Sequence, residues 1–134
     1  MSALTARAEQ LTPYFLSVFR IVAGLLFLQH GLVKFLGWPA LFPIAFAPFS
    51  QLWFAGMIEC AGGILLIVGL FSRWAAVVCS GEMAFAYFLF HQSKGLTPIQ
   101  NGGDLAIMFC FAFLLLAVTG PGPLSIDARR HAPS

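Results

Sequence analysis

Four stretches of this sequence stay apolar long enough to cross a hydrocarbon core, and nothing else in it constrains the fold as strongly. A helix needs about 20 residues for that crossing. The stretches run over about 13–37, 49–71, 73–92 and 103–120, and in a chain of 134 residues they leave no room for a soluble domain. Charged residues are only 9% of the chain, against about 25% in an average soluble protein. Too few polar side chains are present to cover the surface of a water-soluble domain of this size. The sequence therefore predicts one all-α domain over 1–134, an integral membrane four-helix transmembrane bundle with a cytoplasmic tail over 121–134. A lipid bilayer is its first partner. Nucleic acid is excluded as another, because the net charge is +2 and the largest basic cluster is Arg129-Arg130-His131.

Helix limits follow from local chemistry. Thr12 is suited to cap the first span, and Pro13 to open it. Ser72-Arg73 leaves almost no linker, so the second and third spans form a tight antiparallel hairpin. Asn101 is the expected N-cap of the fourth span, with Asp104 facing its first-turn amides. Gly-Pro-Gly-Pro at 120–123 ends that span. The segment from Trp38 to Phe49 carries three prolines and no charge, which predicts a flap held at the interface and shielded by protein. Arg7, Arg73, Arg129 and Arg130 fall on one side of the membrane, Lys34 and Lys94 on the other. That bias places both termini in the cytoplasm. Trp38 and Trp53 then mark the outer interface, and Tyr14 and Trp74 the inner one. No cleavable signal is read at the start, so the expected location is a plasma membrane, in a bacterium the inner membrane.

Arg20, His30, Glu59 and Glu82 lie within apolar spans. A charge at the bilayer centre costs roughly 2.5–3.5 kcal/mol on insertion scales, so such groups are expected to be paired or to line water. Depth along the helices puts Arg20 and Glu82 about 10 and 14 Å in, Glu59 about 18 Å and His30 about 25 Å. An inward-facing Arg20–Glu59–Glu82 cluster is the resulting expectation, serving either a buried site or helix register alone. Arg20, Gly24, Phe27, Gly31 and Lys34 define one stripe of the first helix, and Gly56, Glu59, Gly63 and Leu66 the matching stripe of the second. His30 stands one helical turn from Lys34. His91 is on the opposite side of a straight helix from Glu82 and joins the cluster only if the helix end bends. Asp104 reads as a helix cap before a catalytic acid. Cys60, Cys79 and Cys110 read as packing residues. No metal-ligand spacing, phosphate loop or dinucleotide fingerprint is present.

The order of these motifs resembles the DoxX family of small four-helix membrane proteins. The resemblance rests on Arg20, Gly24 and His30-Gly31-x-x-Lys34, then Glu59-x-x-Gly62-Gly63 with Leu70-Phe71-Ser72-Arg73. It continues through Pro98-x-x-Asn101-Gly102-Gly103-Asp104, where many members carry Glu last, to Gly120-Pro121-Gly122-Pro123 with Ser125 and Asp127. It implies the four-helix fold and an association with membrane oxidoreductase complexes, such as thiosulfate:quinone oxidoreductase. The first expectation is thus a membrane subunit or docking partner of such a complex, with membrane or peripheral oxidoreductase subunits as partners and a quinone as ligand. Arg20, His30, Lys34, Glu59 and Glu82 are the candidate quinone site, with His91 and Asp104 secondary, and no cofactor is held covalently. Other readings are an assembly factor for membrane proteins and a small proton-coupled carrier, the latter needing a homo-oligomer for room.

Overall fold

The computed structural model describes residues 2–41 and 46–130. Helix α1 spans Ala3–Leu36, α2 Gln51–Val68 and α3 Ser72–Ala86. The third span continues beyond α3 as a π-turn over Tyr87–His91 and a 3-10 turn over Gln92–Lys94. Helix α4, Pro98–Asn101, is a single turn, followed by α5, Asp104–Thr119, and a short α6, Ile126–Arg130. No strand occurs among the described residues. The four long helices run antiparallel in chain order, and three of the spans are long and apolar enough to cross a membrane. The fourth, α5, has 16 residues and is apolar from Leu105 to Val118.

Three expectations about helix limits need correction. Helix α1 starts ten residues before Pro13, capped by Ser2, whose side chain accepts from the Thr5 amide. Ala, Leu, Arg, Glu and Gln between positions 3 and 11 are strong helix formers, and they extend the helix through the proline. Thr12 is therefore no cap: its hydroxyl donates to the Ala8 carbonyl within the helix. Asn101 ends α4 and does not cap α5; its side-chain oxygen accepts from the Gly103 amide at 2.8 Å. The segment after Gly120 is not a loose tail. It folds back across the middle of α1, near Ser17 and Arg20, and the facing ends of α2 and α3, and Asp127 accepts from the amides of Phe71 and Ser72 at 2.9 and 2.8 Å. That carboxylate caps α3 where Phe71 itself offers no side-chain cap. His131 lies outside the described residues.

Two tightly packed pairs, α1 with α2 and α3 with α5, make the bundle. Glycines set the first pair. A Cβ on Gly31 would lie 2.9 Å from the Cys60 amide nitrogen and 3.0 Å from the Gly56 carbonyl. One on Gly63 would meet the Gly24 carbonyl at 3.0 Å. Bare backbone at these crossings lets the two helices touch along their length. Between the pairs, the Phe27 ring of α1 sits edge-on to Phe113 at 4.8 Å and tilted on Phe109 at 5.5 Å. At the far end of α1, Phe46 and Phe49 of the proline-rich segment pack on Phe35 and Trp53, at 6.2 and 4.9 Å between ring centres. The described part of that segment thus folds against the helix ends; residues 42–45 lie outside the described residues.

Candidate functional site

The expected cluster of Arg20 with Glu59 and Glu82 is not what the chain builds. Arg20 is fully buried, and its guanidinium donates to four backbone carbonyls. They belong to Leu66, Ile67 at 2.9 Å, Pro121 at 2.9 Å and Leu124 at 2.6 Å. The first two are orphan carbonyls at the C-terminal end of α2, and the others come from the segment that folds back after Gly120. Antiparallel pairing explains the difference. Arg20 is opposite the end of α2, whereas Glu59 lies about two turns further along and faces the other end of α1. Glu59 meets Lys34 there. The ammonium donates to both carboxylate oxygens, at 2.6 and 2.5 Å, with the two side chains 9% and 4% exposed.

Polar groups consequently gather in two separate layers. The Arg20 layer binds backbone to backbone and has little left to offer a ligand. The largest cavity described at that end, about 800 Å³, lies among Phe71, Arg73, Trp74, Pro121, Asp127 and Arg130. Its charges are already engaged: Arg73 donates to the Ala117 and Val118 carbonyls, Asp127 caps α3, and Arg130 lies over the Phe71 ring. For Asp127, burial alone would raise the pKa. The amide and hydroxyl of Ser72, the Phe71 amide and the Arg130 charge outweigh it and hold the carboxyl below its ordinary value.

The second layer surrounds a cleft of about 380 Å³ at the Lys34 end, walled by all four long helices. His30 and Lys34 come from α1, Glu59 from α2, Glu82 from α3, and His91 and Lys94 from the turns beyond it. His91 reaches the cleft because the π-turn over Tyr87–His91 inserts an extra residue into the helix, which swings its last turn round. The same turn stacks Tyr87 on His91, and His91 Nδ1 bonds the Asn101 carbonyl at 3.1 Å. The amide group of Asn101 donates to the Tyr87 hydroxyl at 3.3 Å and to the Gly95 carbonyl. Phe109 of α5 forms an apolar wall, with the His30 ring perpendicular to it at 5.9 Å. Asp104 is exposed at the start of α5, outside this cleft.

Two ammonium groups and two carboxylates line the cleft, so with neutral histidines its formal charge is zero. One oxygen of Glu82 is buried and has no hydrogen-bond partner among the described residues. Such an oxygen is costly unless it carries a proton or receives a donor from elsewhere. The arrangement can therefore grip a small neutral group that both accepts and donates hydrogen bonds, against an aromatic wall. Sequence reasoning missed Lys94, counted only as a charge on one side of the membrane, and the Tyr87–Asn101 bracket that steadies His91. The signal for the latter, Tyr and His four residues apart ahead of Asn101, is weak without the π-turn.

The DoxX family pattern matches residues 15–92, more than half of the chain. Similar proteins include an uncharacterised protein of Haemophilus influenzae, 43% identical over 90% of this chain and 94% of its own length. The inner membrane protein YqjF of Escherichia coli is 32% identical over 82% of this chain and 87% of its own. The inner membrane protein YphA of the same organism is 28% identical over 87% and 91%. No solved structure matches the chain. The matched region holds Arg20, His30, Lys34, Glu59, Glu82 and His91, residues from each of the two polar layers of the bundle; this membrane protein belongs to the DoxX family.

Proposed function

We propose that the cleft between Lys34 and Glu82 binds the headgroup of a quinone, and that the chain serves as a membrane subunit of an oxidoreductase complex. The carrying observation is a charge-balanced cleft holding an unsatisfied buried carboxylate oxygen. A quinone presents two carbonyl acceptors and a flat ring; its reduced form presents two hydroxyl donors. Donors from His30 and Lys34 suit the carbonyls, Phe109 suits the ring, and the bare oxygen of Glu82 suits a hydroxyl. Reduction takes two electrons and two protons. The chain has no dinucleotide or phosphate motif, so the electrons come from a partner subunit. Glu59 and Glu82 are placed to pass the protons.

Similarity to proteins named as inner membrane proteins, with the basic bias, supports a bacterial inner membrane and cytoplasmic termini. Arg7, Arg73, Arg129 and Arg130 belong to the Arg20 end of the bundle, and Lys34 and Lys94 to the other. A periplasm-dependent reporter fused after residue 134 should stay inactive; strong activity there would reverse the orientation.

The binding test is a titration of purified protein with a tail-less benzoquinone and its quinol, alongside thermal unfolding of the same sample. Glu82→Gln should melt near wild type and bind the quinol about tenfold more weakly. Unchanged affinity in that variant, or no quinone binding by wild type, would overturn the reading.

A further inference from the structure

Five glycines of α1 and α2, at positions 24, 31, 56, 62 and 63, are explained by packing, since a Cβ on any of them would press on a neighbour. Gly81 is different. It sits mid-way along α3, exposed, and a Cβ there would meet nothing within 4 Å. A helical glycine costs about 1 kcal/mol relative to alanine, so one without a packing reason needs another account. Its surroundings supply one. Gly81 lines a groove of about 420 Å³ on the outer side of the α2–α3 seam, among Phe54, Ile58, Val78 and Phe85. Towards the Arg20 end this groove meets a second apolar hollow of about 440 Å³, with Ile58 and Val78 in both walls. Towards the other end it meets the polar cleft: Ala55, Glu82, Ala86 and Phe90 line groove and cleft alike.

The groove thus shares one wall with the polar, charge-balanced chamber and another with the second hollow, and the two hollows make an apolar trough along the α2–α3 seam. From Glu82 to Trp74 the trough follows α3 for about 12 Å. We propose that this trough is the side entrance of the cleft and the seat of the isoprenoid tail of its quinone, with Gly81 keeping it open. The proposal rests on the quinone reading above. The chemistry of the shared wall selects this occupant over a phospholipid. An anionic phosphate drawn in at this mouth would face the carboxylate of Glu82, whereas a neutral quinol hydroxyl can donate to it.

The test compares a tail-less benzoquinone with the same headgroup on a farnesyl chain, titrated into wild type, Gly81→Ala and Gly81→Phe. A Cβ at position 81 meets no protein atom within 4 Å, and a phenyl ring carried on it would fill the trough. It should leave affinity for the tail-less quinone unchanged and weaken the farnesyl quinone at least about tenfold; Gly81→Ala, with one methyl in the trough, should weaken the farnesyl quinone by less and leave the tail-less quinone unchanged. Should Gly81→Phe not fold, a farnesyl quinone with a photoreactive group at the tail end decides the matter on wild type. Labelling is expected on peptides containing Ile58 or Val78, competed by unlabelled farnesyl quinone and not by phosphatidylglycerol. Equal affinity of Gly81→Phe for both quinones, labelling confined to α1 or α5, or competition by phosphatidylglycerol would overturn the trough while leaving headgroup binding intact. Failure of wild type to bind the tail-less quinone would instead overturn the cleft, and the trough with it.

Discussion

Lys34 and Glu59 form a two-pronged ion pair across the α1–α2 interface, ammonium to both carboxylate oxygens at 2.6 and 2.5 Å. Both side chains are almost wholly buried. Removing either partner takes the counter-charge from the other, a loss softened by the reach of Lys34 toward the nearby membrane surface. Lys34→Met and Glu59→Met should each lower stability by about 2–4 kcal/mol, and the double substitution should recover most of that. Unfolding of the four proteins in detergent measures the coupling. Strictly additive losses would show that the pair acts as two independent groups.

Arg20 is held by its fork of donors more than by its charge. Arg20→Lys keeps the charge but offers an ammonium in place of a planar guanidinium spread over four carbonyls. A loss of about 2 kcal/mol is expected, with two or more bonds gone. Trypsin should then cut sooner at Arg129 and Arg130, because the returning segment is less firmly seated. Quinone affinity should not change, since the Lys34 cleft lies at the other end.

Asp127 links stability to acid. Its folded pKa is depressed below the ordinary 3.8 by the Ser72 and Phe71 amides, despite burial. The stabilisation is therefore complete above about 3.8 and is lost as pH falls through the lower, folded value. Asp127→Asn should melt lower than wild type at pH near neutral, and the two curves should converge at the acid end. A constant gap down to strongly acid pH would show that the carboxylate charge is not what caps α3.

Gly31 and Gly81 should respond oppositely to alanine. At Gly31 the new methyl presses on the Cys60 amide and Gly56 carbonyl, and backbone cannot step aside cheaply. A loss of about 1–3 kcal/mol is expected, as for overpacked cores. At Gly81 nothing is in the way, and lower chain entropy should raise stability by about 0.5–1 kcal/mol. Paired unfolding curves check both signs.

Apolar length and glycine spacing made the bundle readable in the sequence. Arg20, Gly24, Phe27 and Gly31 are buried as their stripe predicts, and the hairpin at Ser72 is as tight as its missing linker requires. The Arg20–Glu59–Glu82 cluster misread the pairing for a definable reason. Depth counted from helix ends treats residues several ångströms apart as one layer, and it ignores backbone carbonyls as partners for arginine. The four acceptors of Arg20 carry no side-chain signature. His91 depended on a π-turn, which no periodicity announces, and the returning segment looked like a tail because Gly-Pro-Gly-Pro ends helices wherever it occurs. Regular periodic elements were legible; contacts made by bare backbone or by one irregular turn were not.

The carbonyls that satisfy Arg20 are separated from it by 101 and 104 residues at Pro121 and Leu124, but by only 46 and 47 at Leu66 and Ile67. Synthesis therefore delivers the partners of this arginine in two instalments. When the α1–α2 hairpin has entered the bilayer, half of the guanidinium is already bonded, and the side chain can stay at depth. The rest waits, unsatisfied, while two more helices are threaded past it. The last two bonds of this buried arginine therefore form only when the segment after Gly120 arrives, so the end of the chain completes the seat of a charge laid down near its start.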